Sequence, residues 1–159
     1  MFATAGSDEK CRACEQLGAE RAINYRTADF VDAIKNLTDG RGVDLVLDII
    51  GGDYLDRNLR SLAMDGRLVQ IGLMGSSEAT IDLRRVLGRR LTVTGSTLRP
   101  RSVEEKGTIA DALRRDVWPL LERGQVKPIV YRTFPLAQAS DAHRVMESSE
   151  HVGKLVLTV

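Results

Sequence analysis

Apolar positions along the chain follow two alternating periods. Short apolar runs, most with β-branched residues, recur at 2–5, 22–25, 43–49, 67–73, 91–95, 130–134 and 154–159, and their length and composition predict strands. Between them the period lengthens to that of a helix. Residues 7–17 read as a helix stopped by Gly18, and 28–37 carry Phe30, Ile34 and Leu37 on one face before Gly40. Leu55, Leu59 and Leu62 repeat the stripe after Gly51-Gly52, and 81–87 predict a shorter helix or turn. The longest helix is expected at 103–123, with Ile109, Leu113, Val117 and Leu120 inward and a kink at Pro119. A last helix at 136–146 turns Ala139, Ala142 and Met146 inward. Strands alternating with crossover helices predict an α/β fold with a doubly wound parallel sheet. No repeat or linker interrupts it, so one compact unit is expected.

Composition narrows the function classes. The 159 residues are 43% apolar and 28% charged, with 23 Lys and Arg against 22 Asp and Glu, the balance of a folded domain. A net charge of +1 offers no general attraction for nucleic acid or an anionic membrane, and the scattered arginines read as solvated faces. Neither is expected as a partner. The best apolar run, 45–50, is broken by Asp48 and is far short of a membrane span. The first ten residues lack the apolar core of a signal peptide, so a cytoplasmic location is expected. Two cysteines make no disulfide framework, and with His143 and His151 the chain offers poor material for a metal site. Cys11-Arg12-Ala13-Cys14 lies inside a helix and reads as packed thiols.

The chain enters a strand at residue 2, and G-x-G-x-x-G, the pyrophosphate-binding turn of a dinucleotide fold, occurs nowhere in it. After that strand, Ser7 is a good helix N-cap, but Lys10 stands where a capping box has Glu or Gln. A cation in the first turn opposes the helix dipole by roughly 0.3–1 kcal/mol, which makes sense beneath an anion. The end of this strand faces the adenosine ribose in a nucleotide-binding sheet, where a carboxylate selects NAD and a cation accommodates the 2′-phosphate of NADP. Gly6, Ser7 and Lys10 read either as a phosphate socket or as an ordinary turn with a solvated lysine.

The series Ala3-Thr4-Ala5-Gly6-Ser7-x-x-Lys10, Ala22-Ile23-Asn24-Tyr25, Gly40-Arg41-Gly42-Val43-Asp44, Asp48-Ile49-Ile50-Gly51-Gly52, Gly66-Arg67-Leu68-Val69-x-Ile71-Gly72 and Gly153-Lys154-Leu155-Val156-Leu157 resembles the zinc-independent quinone oxidoreductases of the medium-chain dehydrogenase/reductase superfamily. That resemblance implies a Rossmann-like sheet truncated at its N-terminus, with the first strand and Gly-rich loop missing. Residues 1–135 would form the dinucleotide-binding domain, and 136–159 would return to a catalytic domain this chain lacks. It implies NADPH as cofactor, with Gly6, Ser7, Lys10 and Tyr25 around the 2′-phosphate. Asp48, Ile50 and Gly51 would end a strand beside the nicotinamide half, and Ile71, Gly72, Leu73 and Met74 would lay backbone along the nicotinamide. The residue-level alternatives are a partnered sheet-end carboxylate at Asp48, plain turns at the glycines and a core ring at Tyr25. No side chain is assigned a catalytic role and none a metal.

The implied reaction is hydride transfer to a small quinone or conjugated enone without zinc. Other readings are an enoyl-reductase or zinc-type alcohol dehydrogenase relative, or a non-catalytic NADPH-binding or assembly module. Strand 91–95 should be the sheet edge and the family's homodimer contact. In the order 3-2-1-4-5-6 the absent strand is the central one. Strands 2–5 and 43–49 should therefore flank an open slot about two spacings of ~4.8 Å wide, leaving the isolated chain marginally stable.

Overall fold

The computed structural model describes residues 1–159. In chain order the elements are β1 (Phe2–Ala5), α1 (Asp8–Gln16), β2 (Arg21–Asn24), α2 (Phe30–Leu37), β3 (Val43–Asp48), α3 (Tyr54–Ser61), β4 (Leu62–Gln70), α4 (Leu83–Arg89) and β5 (Thr92–Gly95). There follow α5 (Val103–Asp116), α6 (Trp118–Glu122), β6 (Val130–Pro135), a 3-10 turn at Leu136–Gln138, α7 (Ala139–Ser148) and β7 (Lys154–Thr158). Every strand pairing is parallel: β1 with β2, β3 with β4, β4 with β5, and β6 with β7. The alternation and the parallel pairing are those of a Rossmann-like α/β fold.

The chain forms two compact units, Met1–Arg101 and Ser102–Val159, where one was expected. Within the second unit β6 pairs with β7 across α7.

Local chemistry sets the element ends in the first unit. Ser7 caps α1 by accepting the Lys10 backbone N–H at 3.3 Å. Asp29 caps α2 by accepting the Val31 N–H at 2.8 Å, so this helix starts at Phe30, the first residue of its apolar stripe and two residues after the expected start at 28. Of the stripe, Phe30 and Ile34 are buried, joined by Val31, against Ile23 of β2, with Phe2 and Val43 packed on the same cluster, while Leu37 in the last turn is exposed. A second cluster joins Leu59, Leu62, Leu68 and Leu91. Leu62 belongs to β4 rather than to the helical stripe, because the chain must pass Gly42 at backbone range. A Cβ on Gly42 (φ +87°) would lie 2.6 Å from the Ser61 carbonyl oxygen. Gly42→Ala is therefore expected to destabilise the chain by more than about 2 kcal/mol, through strain at positive φ and a backbone clash. A denaturant midpoint equal to that of the parent would refute this.

Asp29 also faces the Arg57 guanidinium at 3.4 Å. The Val31 N–H, then Arg57, holds its carboxyl below the usual carboxylate range. A depressed folded pKa stabilises the fold above the unfolded value and loses that contribution as pH falls through the folded one. Stability should thus fall below about pH 3.8, the ordinary value, and Asp29→Asn should flatten that limb in acid-unfolding curves.

β4 ends at Gln70, three residues before the predicted limit, and β5 pairs with β4 alone, which makes it an edge as expected. No ladder joins β1 to β3: they lie in separate sheets of two and three strands, as expected of strands that flank an open slot.

In the second unit Ser102 and Glu105 close a reciprocal capping box at the start of α5, with bonds of 2.9 and 3.1 Å. Pro119 does more than kink the predicted long helix. It splits the helix at Val117, since it lacks an N–H and sits at the second position of α6. Ile109 and Leu113, expected inward, are exposed, as is Met146 on α7, where only Ala142 is buried. These stripes have no covering layer within their own unit.

Candidate cofactor site

The sequence-predicted residues fall into two groups, both on loops that leave the C-terminal ends of strands, the side on which ligands bind open α/β sheets. The first follows β1 and β2. Gly6 lies so close to Tyr25 that a Cβ there would sit 2.7 Å from the phenol oxygen, with the Arg26 Nε at 3.5 Å. Gly6 and Tyr25 thus meet, Ser7 and Lys10 are joined only through the backbone N–H of Lys10, and Arg26 adds a cation that sequence reasoning missed although it directly follows Tyr25. Tyr25 meets Tyr54 edge-on at 6.3 Å, Tyr54 stacks on Phe30 at 5.6 Å, and the Arg57 guanidinium lies 4.1 Å over the Phe30 ring. That chain of rings fixes the phenol from behind. No carboxylate ends β1. Asp8, which follows Ser7, accepts the Asn24 side-chain N–H at 2.7 Å, while the Asn24 amide oxygen accepts the Arg26 N–H at 3.1 Å.

The second group joins the exits of β3 and β4. The Asp48 carboxylate is 4% exposed and accepts the N–H groups of Ile50 at 2.8 Å and Gly51 at 2.9 Å. It holds its own turn, as the partnered-carboxylate reading has it. The main chain then ties this turn to the 71–75 segment: Ile71 N–H donates to the Asp48 carbonyl, Met74 N–H to Ile49 and Gly75 N–H to Ile50, at 2.8–2.9 Å. Gln70, which sequence reasoning missed, adds donations from its side chain to the Gly72 carbonyl at 2.7 Å and the Asp48 carbonyl at 3.3 Å. Its position as the last residue of β4 is the signal that could have found it. Gly51 (φ +72°) has no room for a Cβ, which would lie 2.5 Å from Leu73 and 2.9 Å from the Ser76 carbonyl oxygen. Gly72 would tolerate one, its nearest neighbour being Ile49 at 3.6 Å. Ile71, Leu73 and Met74 expose their side chains.

Beside Ile71, an open cavity of about 580 Å³ is lined by Ser96, Thr97, Leu98, Arg99 and Pro100. Arg101 braces its wall by donating to the Ser96 hydroxyl at 2.9 Å and the Thr97 carbonyl at 3.2 Å.

No three His, Cys, Asp or Glu side chains of this chain converge. Burial pushes the Cys11 thiol up, away from the thiolate that metal binding or redox exchange requires. No helix is long and apolar enough to cross a membrane.

A parallel α/β sheet with its candidate residues at the strand exits defines a Rossmann-like cofactor domain of the medium-chain dehydrogenase/reductase superfamily. Residues 17–157 match the family described as zinc-binding dehydrogenase, and the chain belongs to it. It is 30% identical over 158 residues to a quinone oxidoreductase of Rattus norvegicus, covering 99% of this chain and 46% of that protein. Among solved structures it resembles an NAD-dependent alcohol dehydrogenase (TM-score 0.80, 34% identity, 99% of this chain, 43% of that one). It also resembles the CurK enoyl reductase (TM-score 0.77, 30% identity, 99% of this chain, 46% of that one). The chain spans about half the length of the curated relatives it matches.

Proposed function

We propose that the chain is the cofactor-binding portion of a cytoplasmic NADPH-dependent oxidoreductase that passes a hydride to a small quinone or conjugated enone without zinc. The observation that carries the cofactor choice is the turn after β1: Gly6 lies against the Tyr25 phenol with the Arg26 Nε close by, Ser7 and Lys10 open the helix that follows, and no carboxylate stands at the strand end. A cationic, hydroxyl-bearing turn there suits the 2′-phosphate of NADPH better than the free 2′-hydroxyl of NADH. NADPH, when bound, supplies the hydride from its nicotinamide.

The chain's own residues bind and orient. Ser7 and Tyr25 present hydroxyls and Lys10 its ammonium at the phosphate end. Asp48, Ile50, Gly51 and Gln70 hold the β3 and β4 exits as one rigid surface on which Ile71, Gly72, Leu73 and Met74 can lie along the nicotinamide. The acceptor's quinone character rests on the resemblance to quinone oxidoreductases. Oxidation of NADPH with 9,10-phenanthrenequinone in the presence of the chain tests it, and cofactor binding without turnover would contradict the enzymatic reading. In that case a non-catalytic NADPH-binding or assembly module is the alternative, favoured by the separation of β1 from β3.

β5 leaves one edge unpaired, and pairing of such edges across a two-fold axis would make a homodimer. Light scattering of folded sample at micromolar concentration should return twice the chain mass. A monomer would contradict this contact.

A further inference from the structure

Lys10 does not make the first turn of α1 cationic by itself, because it shares that turn with Asp8 and Glu9. Two carboxylates and one ammonium repel an anion unless a carboxylate is turned aside and a further cation is brought in. Asn24, the last residue of β2, does both. Its side-chain N–H donates to the Asp8 carboxylate at 2.7 Å, and its amide oxygen accepts the backbone N–H of Arg26 at 3.1 Å. The Asn24 carbonyl also accepts the N–H groups of Thr27 and Ala28, at 3.1 and 3.0 Å, so the chain turns at once after β2. That turn carries Tyr25 and Arg26 to Gly6, where the Arg26 Nε is 3.5 Å from the position of a Cβ. Only an amide of this length serves both partners. It offers a donor to the carboxylate and an acceptor to the N–H, whereas Asp at this position would set oxygen against oxygen and an aliphatic side chain would serve neither. The Asn24–Asp8 bond is exposed and adds little to stability. Its effect is on where charge stands.

We infer that Asn24 is a positioning residue that sets the preference of this turn for a 2′-phosphate. One amide ties the Asp8 carboxylate to the end of β2 and pins the turn that brings Arg26 to Gly6, and Arg26 is the second cation, with Lys10, that the phosphate meets. Asn24 has this role only if the turn receives a 2′-phosphate, as proposed above. Released from Asn24, Asp8 is a mobile negative charge beside the phosphate, and Arg26 loses the bond that fixes its backbone.

The test titrates the full chain, by NMR, with adenosine 2′,5′-bisphosphate, which carries the 2′-phosphate, and with adenosine 5′-monophosphate, which lacks it. The parent should bind the bisphosphate at least about tenfold more tightly. Asn24→Ala should lose about fivefold or more of that ratio, with its affinity for the monophosphate unchanged. Adding Asp8→Asn to Asn24→Ala should restore part of the loss, and adding Glu9→Gln instead should restore less. Arg26→Gln changes an exposed side chain and keeps the backbone bond to Asn24, so it should fold as the parent does and lose about fivefold for the bisphosphate alone. Equal affinities of the parent for the two nucleotides, or binding of neither, would remove the 2′-phosphate reading and this role with it. A parent that prefers the bisphosphate, with Asn24→Ala keeping the same ratio, would overturn the role of Asn24 alone. If Asn24→Ala does not fold, an unchanged ratio in Arg26→Gln is enough to overturn it. Equal rescue by Asp8→Asn and Glu9→Gln would overturn it too, because the turn would then respond to net charge and not to the carboxylate that Asn24 holds.

Discussion

Asp48→Ala is expected to lower the stability of the chain by about 2–4 kcal/mol, the largest effect of any single side chain near the site. The buried carboxylate accepts two backbone N–H groups, from Ile50 and Gly51, and bonds to a charged group contribute roughly 1.5–3 kcal/mol each when their loss leaves buried donors unpaired. Asp48→Asn keeps one acceptor oxygen and should lose less. Because Ile71, Met74 and Gly75 hang on the carbonyls of residues 48–50, loosening this turn should also weaken cofactor binding. Urea unfolding of the two variants against the parent measures the effect. Coincident midpoints would show that the turn stands without its carboxylate.

Lys10→Ala should weaken NADPH binding by about 10- to 100-fold, equivalent to 1.5–3 kcal/mol for one charged phosphate partner, and leave NADH binding unchanged. The helix itself should not suffer, because the Ser7 cap uses the Lys10 backbone N–H and not its side chain. Tyr25→Phe should give a smaller loss of the same sign, since it removes a hydroxyl and keeps the ring against Tyr54. Fluorescence titration of both cofactors separates these outcomes, and equal losses for NADPH and NADH in Lys10→Ala would mean that the lysine does not meet the 2′-phosphate.

The alternation of short apolar runs with helical stripes was enough to read the α/β class and all seven strands, because each strand lies between turn-forming residues and each buried helix carries its own stripe. The edge position of β5 and the separation of β1 from β3 were legible from the expected strand order, in which 2–5 and 43–49 are not neighbours and 91–95 has no further strand beyond it. The readings that failed had tertiary causes. Leu62 continues a perfect helical stripe, yet the close pass of Gly42 against Ser61 and Leu62 ends the helix there. Met146, Ile109 and Leu113 have the spacing of a buried face, and spacing alone cannot say whether a layer exists to cover it. At the site, Lys10, Gly6 and Tyr25 were legible as residue types in a pattern. Gln70 and Arg26 were not, because their roles depend on which carbonyls and which turn the fold brings beside them.

The central claim is that the turn after β1 is a 2′-phosphate site, and the binding of NADPH and NADH to the unaltered 159-residue chain, titrated in parallel under one buffer, tests it most directly. NADPH should bind at least about tenfold more tightly, with the advantage shrinking as salt is raised. Equal affinities, or tighter binding of NADH, would contradict it.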